Sequence, residues 1–259
     1  MRVFITGATG FVGQALVRTL RARGWDLSAL VRDPAGAPAR WLQGQGVALV
    51  RGDVTQPDGL APALRGHDAV LHNAGVYEIG ADAALVRRMH AVNVDGTRHV
   101  LAAARAAAVP RTLYVSTVWA LGASRGAQPV DETQVHDGRY LSDYEHSKHL
   151  AHLQALQARQ AGLPLTIAMP NGVVGANDHS VFGYLLRLYL MHRLPPLAWG
   201  ADAVVTLVDA LALADGMARQ LERFEAGRDC IFAGPPLTLR GLVDLWARHP
   251  GGAKRLLFM

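Results

Sequence analysis

The sequence predicts an α/β fold: a doubly wound parallel sheet with a small C-terminal substrate lobe. Three observations carry that prediction. An apolar strand, Arg2 to Thr6, runs into a turn punctuated by Gly7, Gly10 and Gly13 and then into helical periodicity from Phe11 to Arg23. Short apolar runs rich in Val, Leu and Ile then alternate with helical stretches along most of the chain. The 259 residues, 50% of them hydrophobic, suffice for one large core or one core plus a small lobe.

The first turn organises the rest. A strand that bends sharply into a helix needs residues that tolerate positive φ and that leave room for a ligand, and glycine does both. Gly7 makes the turn, Gly10 allows close approach, and Gly13 lets the helix pack on the sheet. At such a helix start the free N–H groups and the positive dipole end point the same way, so a pyrophosphate can bind without a lysine. Thr6, Thr9 and the backbone at Phe11 and Val12 would do the holding.

Trp25 to Val31 reads as the second strand and delivers Arg32 about 20 residues past the glycine turn, where a dinucleotide fold reads the ribose 2′ position. A guanidinium there suits a 2′-phosphate, which favours NADP over NAD. The competing reading sends Arg32 to solvent and gives the ribose to Asp33. A helical piece near Trp41 precedes a third strand, Val47 to Val50, with Asp53 and Val54 at its carboxyl end. Ala69 to His72 is the fourth strand and ends in Asn73, Ala74 and Gly75. Ligands bind at the carboxyl ends of strands in an open parallel sheet, so Asp53 would meet adenine while Ala74 and Gly75 pass beneath the cofactor.

Ala84 to Ala107 reads as one long helix containing Asn93, a polar residue that would find a backbone partner or support a proton relay. Thr112 to Thr117 is the fifth strand, presenting Ser116 and Thr117, of which only one should face the cofactor because strand side chains alternate. Val118 to Arg139 has no period and reads as loop. A helix from Ser142 to Ala161 follows, capped by Ser142, then a sixth strand, Leu165 to Met169. Val181 to Met191 and Thr238 to Trp246 read as helices, Val204 to Glu222 as a strand entering a helix, and Asp229 to Ala233 and Leu256 to Met259 as strands. The division expected is residues 1–170 as the dinucleotide-binding core and residues 171–259 as a short lobe interleaved with the last core strand and helix.

Composition narrows the classes. The formal charge of +5 comes from basic residues scattered singly or in pairs, without the stripe and interleaved aromatics of a nucleic-acid interface. One cysteine, Cys230, excludes an internal disulfide framework and points to a reducing, cytoplasmic setting. There is no apolar run of membrane-spanning length, and the chain opens directly on its first strand, with no room for a leader. His146, His149 and His152 rotate around their helix without converging, so no metal site is expected. A Gly-x-Ser-x-Gly elbow is absent as well. The long helices offer a surface on which two copies would pair into a homodimer.

The chemistry sits in the segment SDYEHSKH, where Tyr144 and Lys148 share one helix face four residues apart. A free phenol titrates near 10, and a neighbouring ammonium lowers that value by favouring the phenolate. Six tyrosines and only two lysines, Lys148 and Lys254, in 259 residues predict about 0.05 such pairs by chance. Thr117 would bond a substrate oxygen while Tyr144 moves the proton. Tyr77, Trp119, Asn171, Phe182 and Tyr184 are candidate pocket residues.

These residues resemble the extended short-chain dehydrogenase/reductases, the NAD(P)-dependent epimerase/dehydratase family, in its dihydroflavonol reductase and 3β-hydroxysteroid dehydrogenase-like branch. The similarity runs in order from Met1 to about Val174: TGATGFVG, LVR, GDVT, HNAG, NVDGT, YVST, PVDET, YEHSK and MPNGVVG. It implies Gly7, Gly10 and Gly13 at the pyrophosphate, Arg32 at the 2′-phosphate and Asp53 at adenine. It also implies Thr117, Tyr144 and Lys148 in catalysis, with Pro170 and the residues after it, Asn171 first, lining the nicotinamide. Two departures stand out: LVDALA (Leu207 to Ala212) lacks the family's usual histidine, and the region after Pro170 is shorter than the family norm. The shortness implies a reduced lobe or a chain that ends early.

The function expected is hydride transfer between NADP(H) and a carbonyl or secondary alcohol on a small, partly apolar substrate. The alternatives are a nucleotide-sugar epimerase or dehydratase with tightly held NAD, and a non-catalytic NADP sensor on the same fold.

Overall fold

The computed structural model describes residues 1–78, 80–124, 129–194, 197–198, 200–249 and 257–258. Seven parallel strands form the main sheet: β1 (Arg2–Thr6), β2 (Asp26–Val31), β3 (Ala48–Arg51), β4 (Ala69–His72), β5 (Thr112–Val115), β6 (Leu165–Pro170) and, far along the chain, β10 (Cys230–Phe232). Their order is β10-β6-β5-β4-β1-β2-β3, a doubly wound sheet that reverses direction of growth between β1 and β4.

Helices α1 (Phe11–Ala22), α2 (Ala37–Gly44), α3 (Leu60–Leu64), α4 (Ala83–His90), α5 (Gly96–Ala106), α6 (Asp143–Gln160), α7 (Val181–Leu190), α8 (Ala210–Glu222) and α9 (Leu239–Ala247) complete the frame. A second sheet orders β11 (Pro236–Thr238), β9 (Val204–Asp209) and β7 (Gly172–Val174), with β7 and β9 parallel and β9 and β11 antiparallel. The short strands β8 (Leu197–Ala198) and β12 (Leu257–Phe258) pair in parallel. Residues 256 and 259 of the strand expected at Leu256 to Met259, and residues 125–128 of the expected loop, lie outside the described residues. No described helix is long and apolar enough to cross a membrane.

The sheet divides the core by side-chain parity. Val3, Ile5, Leu27, Ala29 and Leu113 join Leu16, Leu20, Leu213 and Met217 on the face covered by α1 and α8. Phe4, Val70 and Tyr114 join Val100, Leu101, Ala151 and Ala155 on the face covered by α5 and α6. Continued to the carboxyl ends, that second parity places Thr6, His72 and Ser116 under α5 and α6 as well. There they form bonds: Thr6 Oγ1 to His72 Nδ1 (2.7 Å), His72 Nε2 to Thr97 Oγ1 (3.0 Å), and Ser116 Oγ to His152 Nδ1 (3.1 Å).

Three expectations change. The helix expected over Ala84 to Ala107 is two helices joined by a π-helical turn, Ala91–Asp95. Such turns arise where a local demand outweighs regular i→i−4 bonding, and here Asn93 within the turn makes that demand. The loop expected from Val118 begins with a 3₁₀ turn, Val118–Leu121, started by Thr117, whose hydroxyl accepts from Trp119 N (3.4 Å). The chain after Pro170 holds more strand than expected, because β7 and β11 are three residues long and too short to show a period.

Close approach fixes Gly13. A Cβ there would sit 2.1 Å from the Gly7 carbonyl oxygen and 2.7 Å from Ala8 Cα, all of it backbone that cannot yield. Gly7 itself has φ +73° and would drive a Cβ to 2.7 Å from Ala74 Cα. Gly10 differs, since its nearest neighbour would be Gly7 O at 3.4 Å. In urea unfolding, Gly13→Ala is expected to lose about 3 kcal/mol or more, against less than about 1 kcal/mol for Gly10→Ala. Equal losses would mean that helix packing does not depend on Gly13.

Burial holds His72 neutral, pushing it from 6.5 to about 3, and His152 from 6.5 to about 4. The unfolded chain takes up these protons near 6.5 and the folded chain refuses them. Stability is therefore full above about pH 6.5 and is lost as pH falls toward the folded values. Melting temperature should drop from pH 7 to pH 5, and His72→Gln or His152→Gln should flatten the drop, each removing up to about 1.4 kcal/mol per pH unit. An unaltered slope in both variants would refute neutral burial.

Candidate active site

β1, β4, β5 and β6 are successive neighbours, so their carboxyl ends open on one crevice. On its α1 side, Gly10 is the N-cap of α1, without a side-chain cap and without an acidic residue in the first turn. By contrast α4, α6, α7, α8 and α9 are each capped by a side-chain oxygen, from Asp82, Ser142, Ser180, Asp209 and Thr238. The start of α1, including the amides of Phe11 and Val12, thus keeps donors that nothing in the helix satisfies. Thr9 and Gly10 are exposed beside it.

Thr6 does not join that cradle. It is fully buried, bonded to His72, and its hydroxyl accepts from Ala74 N (3.2 Å). Strand parity turns it under α5 rather than outward. Asn73 donates from Nδ2 to Gly7 O (3.2 Å), and Ala74 abuts Gly7, so the end of β4 braces the glycine turn directly.

Arg32 is exposed at the end of β2, while Asp33 Oδ1 is taken by the amide of Ala35 (3.0 Å). Asp53 holds a turn of its own, Oδ1 accepting from Thr55 N and Thr55 Oγ1, both at 2.9 Å. Val54 is buried against Gly96 of α5. Gly75 is exposed beside Asn93.

Asn93, only 1% exposed, is a brace. Its Oδ1 accepts from Val76 N (2.8 Å), and its Nδ2 donates to Val76 O and to Ser147 Oγ, both at 2.9 Å. Ser147 donates in turn to the carbonyl of Tyr144 (2.8 Å). The strand end that lies under the crevice is thereby tied to the helix that carries the tyrosine. Of the two roles the sequence allowed Asn93, a backbone partner or a proton relay, the backbone partner is found at Val76.

Ser116 and Thr117 part company as alternation requires. Ser116 turns to His152, whereas Thr117 donates to Pro170 O at the end of β6 (3.3 Å) and bonds with the Tyr144 phenol. Expected as a cofactor contact, Ser116 has its hydroxyl committed beneath the sheet end.

Ser142 caps α6, accepting from Glu145 N (3.1 Å), and the buried Glu145 accepts from Leu141 N (2.7 Å) and bonds His136 Nε2 (3.2 Å). That fastens the loop to the first turn of α6, where Tyr144 sits. Lys148 is 5% exposed, and its Nζ donates to Val115 O and Tyr114 Oη, both at 3.0 Å. Burial pushes its ammonium below the usual lysine value while Tyr144 opposes. For Tyr144, burial raises the phenol above its ordinary value, with Lys148 pulling the other way and Tyr114 and Tyr77 adding to the rise. The sequence expectation of a lowered phenol is corrected here: the lysine does pull it down, but the phenol's own desolvation outweighs that pull.

The ring of Tyr77 meets that of Tyr144 edge-on at 4.7 Å between centroids. Tyr77, Trp119 and Tyr184 are 43%, 41% and 55% exposed. Phe182 is half-buried, its ring 3.3 Å from where a Cβ on Gly172 would lie. Asn171 does frame work: its backbone N–H donates to Phe232 O (3.0 Å), its Oδ1 accepts from Gly172 N (2.9 Å), and its Nδ2 bonds Thr206. It joins the two sheets rather than facing the crevice freely.

The three histidines of α6 diverge. His146 stacks beside Tyr140 (4.4 Å), His149 bonds Ala120 O (2.9 Å), and His152 bonds Ser116. No role was evident in the sequence for Tyr114, His72, Ser147 or Glu145, although the segments HNAG, YVST and YEHSK contain them. A polar residue at alternate positions of an apolar strand, aimed at the helix bearing Lys148, was the available signal for the first two.

Residues 3–232 match the NAD dependent epimerase/dehydratase family. The chain is 32% identical over 261 residues to the 2-alkyl-3-oxoalkanoate reductase of Stenotrophomonas maltophilia, spanning 94% of this chain and 74% of that one. It is 30% identical over 254 residues to the 4-hydroxy-2-methyl-3-oxo-4-farnesyl-3,4-dihydroquinoline-1-oxide ketoreductase of Stigmatella aurantiaca, over 97% of this chain and 74% of that one. The solved structure of gox2253 superposes with a TM-score of 0.89 at 31% identity, covering 99% of this chain and 76% of the other. With the glycine turn, the crevice and the Tyr144–Lys148 pair in one place, the chain belongs to the NAD-dependent epimerase/dehydratase family and is an NAD(P)-dependent oxidoreductase of the extended short-chain type.

Proposed function

We propose that the protein reduces a ketone on an apolar small molecule with NADPH, or oxidises the corresponding alcohol. The observation that carries this reading is the placement of Tyr144, Lys148 and Thr117 together at the end of β5 and the start of α6, across the crevice from the uncapped end of α1.

The cradle fits a dinucleotide: glycine backbone lies open at Gly10, and the unsatisfied amides of α1 suit a pyrophosphate. Arg32 would meet a 2′-phosphate, its fork being exposed while the neighbouring carboxylate of Asp33 holds its own turn. Asp53, Val54, Asn73, Ala74, Gly75 and Pro170 line the same strand ends. When bound, the nicotinamide supplies or accepts the hydride.

The chain's own residues handle the oxygen. Thr117 holds Pro170 O through a long bond and can redirect its hydroxyl to a substrate carbonyl. Tyr144 gives its proton to that oxygen as hydride reaches the carbon, leaving an alcohol and a phenolate. Lys148 uses two of its three donors on Tyr114 and Val115 and retains one for a ribose hydroxyl. Its charge stabilises the phenolate. The exposed rings of Tyr77, Trp119 and Tyr184 favour an apolar substrate, in keeping with relatives named for alkyl and farnesyl keto compounds.

With NADPH and a panel of alkyl and cyclic ketones, turnover is expected, and Tyr144→Phe should lower it by about 100-fold or more while the fold persists. Cofactor binding without turnover on any ketone would favour a sensor instead. Arg32→Ala should weaken NADPH about tenfold or more and leave NADH almost unchanged. Equal weakening of both would remove Arg32 from the 2′ site. Gly10→Ala should keep its stability yet lose cofactor affinity, measured by fluorescence titration.

A further inference from the structure

Beneath the catalytic helix lies a phenol that the proposed reaction does not use. Tyr114 is fully buried on β5, two residues before Ser116, on the sheet face covered by α5 and α6. Its oxygen receives Lys148 Nζ at 3.0 Å, and the same Nζ lies 4.8 Å from the centre of its ring. The hydroxyls of Thr97 and Ser116 bond to that oxygen too, and His72 stacks on the ring at 5.5 Å. Each of those partners is anchored further on, Thr97 by His72 and Ser116 by His152.

We propose that Tyr114 is a positioning residue: its hydroxyl holds Lys148 charged and aimed, and through Lys148 it sets how readily Tyr144 exchanges its proton. An ammonium has three donors and no acceptor, so the phenol oxygen must accept from it. The phenol proton then goes to Thr97 or Ser116, which orients the lone pairs of Tyr114 toward the charge. Val115 O, the other partner, can only accept, and so also favours the ammonium. Without these two oxygens a lysine 5% exposed would lose its proton and with it its hold on Tyr144.

The titratable groups facing Lys148 are Tyr114 from β5, Tyr144 and His152 from its own helix, and His72 from β4, with Tyr77 beyond Tyr144. Both histidines are neutral, so Tyr144 is the ionisable group that answers to the charge. Removing the Tyr114 hydroxyl destabilises the ammonium, and the phenolate of Tyr144 loses support with it.

The two lysines of the chain make the test direct. Protein labelled with ε-13C lysine gives two side-chain signals, and Lys148→Arg identifies one of them. In Tyr114→Phe, which keeps the ring, the Lys148 midpoint should fall by about one pH unit, and in Tyr114→Leu, which removes the ring as well, it should fall further. Should Tyr114→Phe fail to fold, 3-fluorotyrosine at position 114 keeps the shape, weakens the oxygen as an acceptor, and should lower the midpoint by a fraction of that. An unmoved midpoint in a folded variant overturns the proposal, since a purely structural role would change stability and not titration.

The consequence for turnover rests on the reductase reading. For an alcohol that the protein oxidises, the rising limb of the pH profile should move to higher pH in Tyr114→Phe. The lysine titration uses neither cofactor nor substrate. A shifted midpoint without turnover in the parent protein would sink the reductase reading alone, and turnover with an unshifted midpoint would sink this one alone.

Discussion

A lysine ammonium almost excluded from water, where α6 meets the end of β5, constrains the whole upper end of this molecule. Burying such a charge is tolerable only where acceptors are fixed in advance. The chain supplies them from β5, as the Val115 carbonyl and the Tyr114 hydroxyl. β5 must therefore stand close to α6, and Ala151 and Ala155 of α6 share one buried cluster with Tyr114 of β5. Small alanines at those positions let the helix come close enough for Lys148 to reach the strand.

A second set of ties keeps the helix from drifting along its axis. Asn93, Val76 and Ser147 link the end of β4, the π turn and α6 through one amide. The irregular turn is the local cost of aiming that amide. Glu145 and His136 fasten the first turn of α6 to the loop before it. Together these bonds hold Tyr144 between Tyr77 and Thr117, whose hydroxyl is the bonding partner of the phenol.

The other side of the crevice is built by omission. Gly13 lets α1 approach the strand turn so closely that no side chain fits, and Gly10 leaves the helix start without the side-chain oxygen that caps α4, α6, α7, α8 and α9. Unsatisfied donors at a helix start that opens on bare glycine backbone are what an anion site requires. The chain after Pro170 closes the arrangement: β10 extends the main sheet, α8 packs on α1, and Asn171 stitches β6 to the second sheet.

The alternation of strand and helix, the glycine spacing and the four-residue step from Tyr144 to Lys148 were all legible in the order of residues, because each depends on local geometry alone. So were the caps at Ser142 and the parity argument that only one of Ser116 and Thr117 faces the crevice. Which of the two it is, that Thr6 turns inward, that Asn93 braces rather than relays, and that Asn171 joins two sheets, depended on partners 17 to 66 residues away. The acidity of Tyr144 was misjudged for the same reason. A lysine four residues away can be counted in a sequence, but the water withdrawn from both groups by β5, α5 and Tyr77 cannot, since desolvation is a property of everything packed around a group and exists only once the chain has folded.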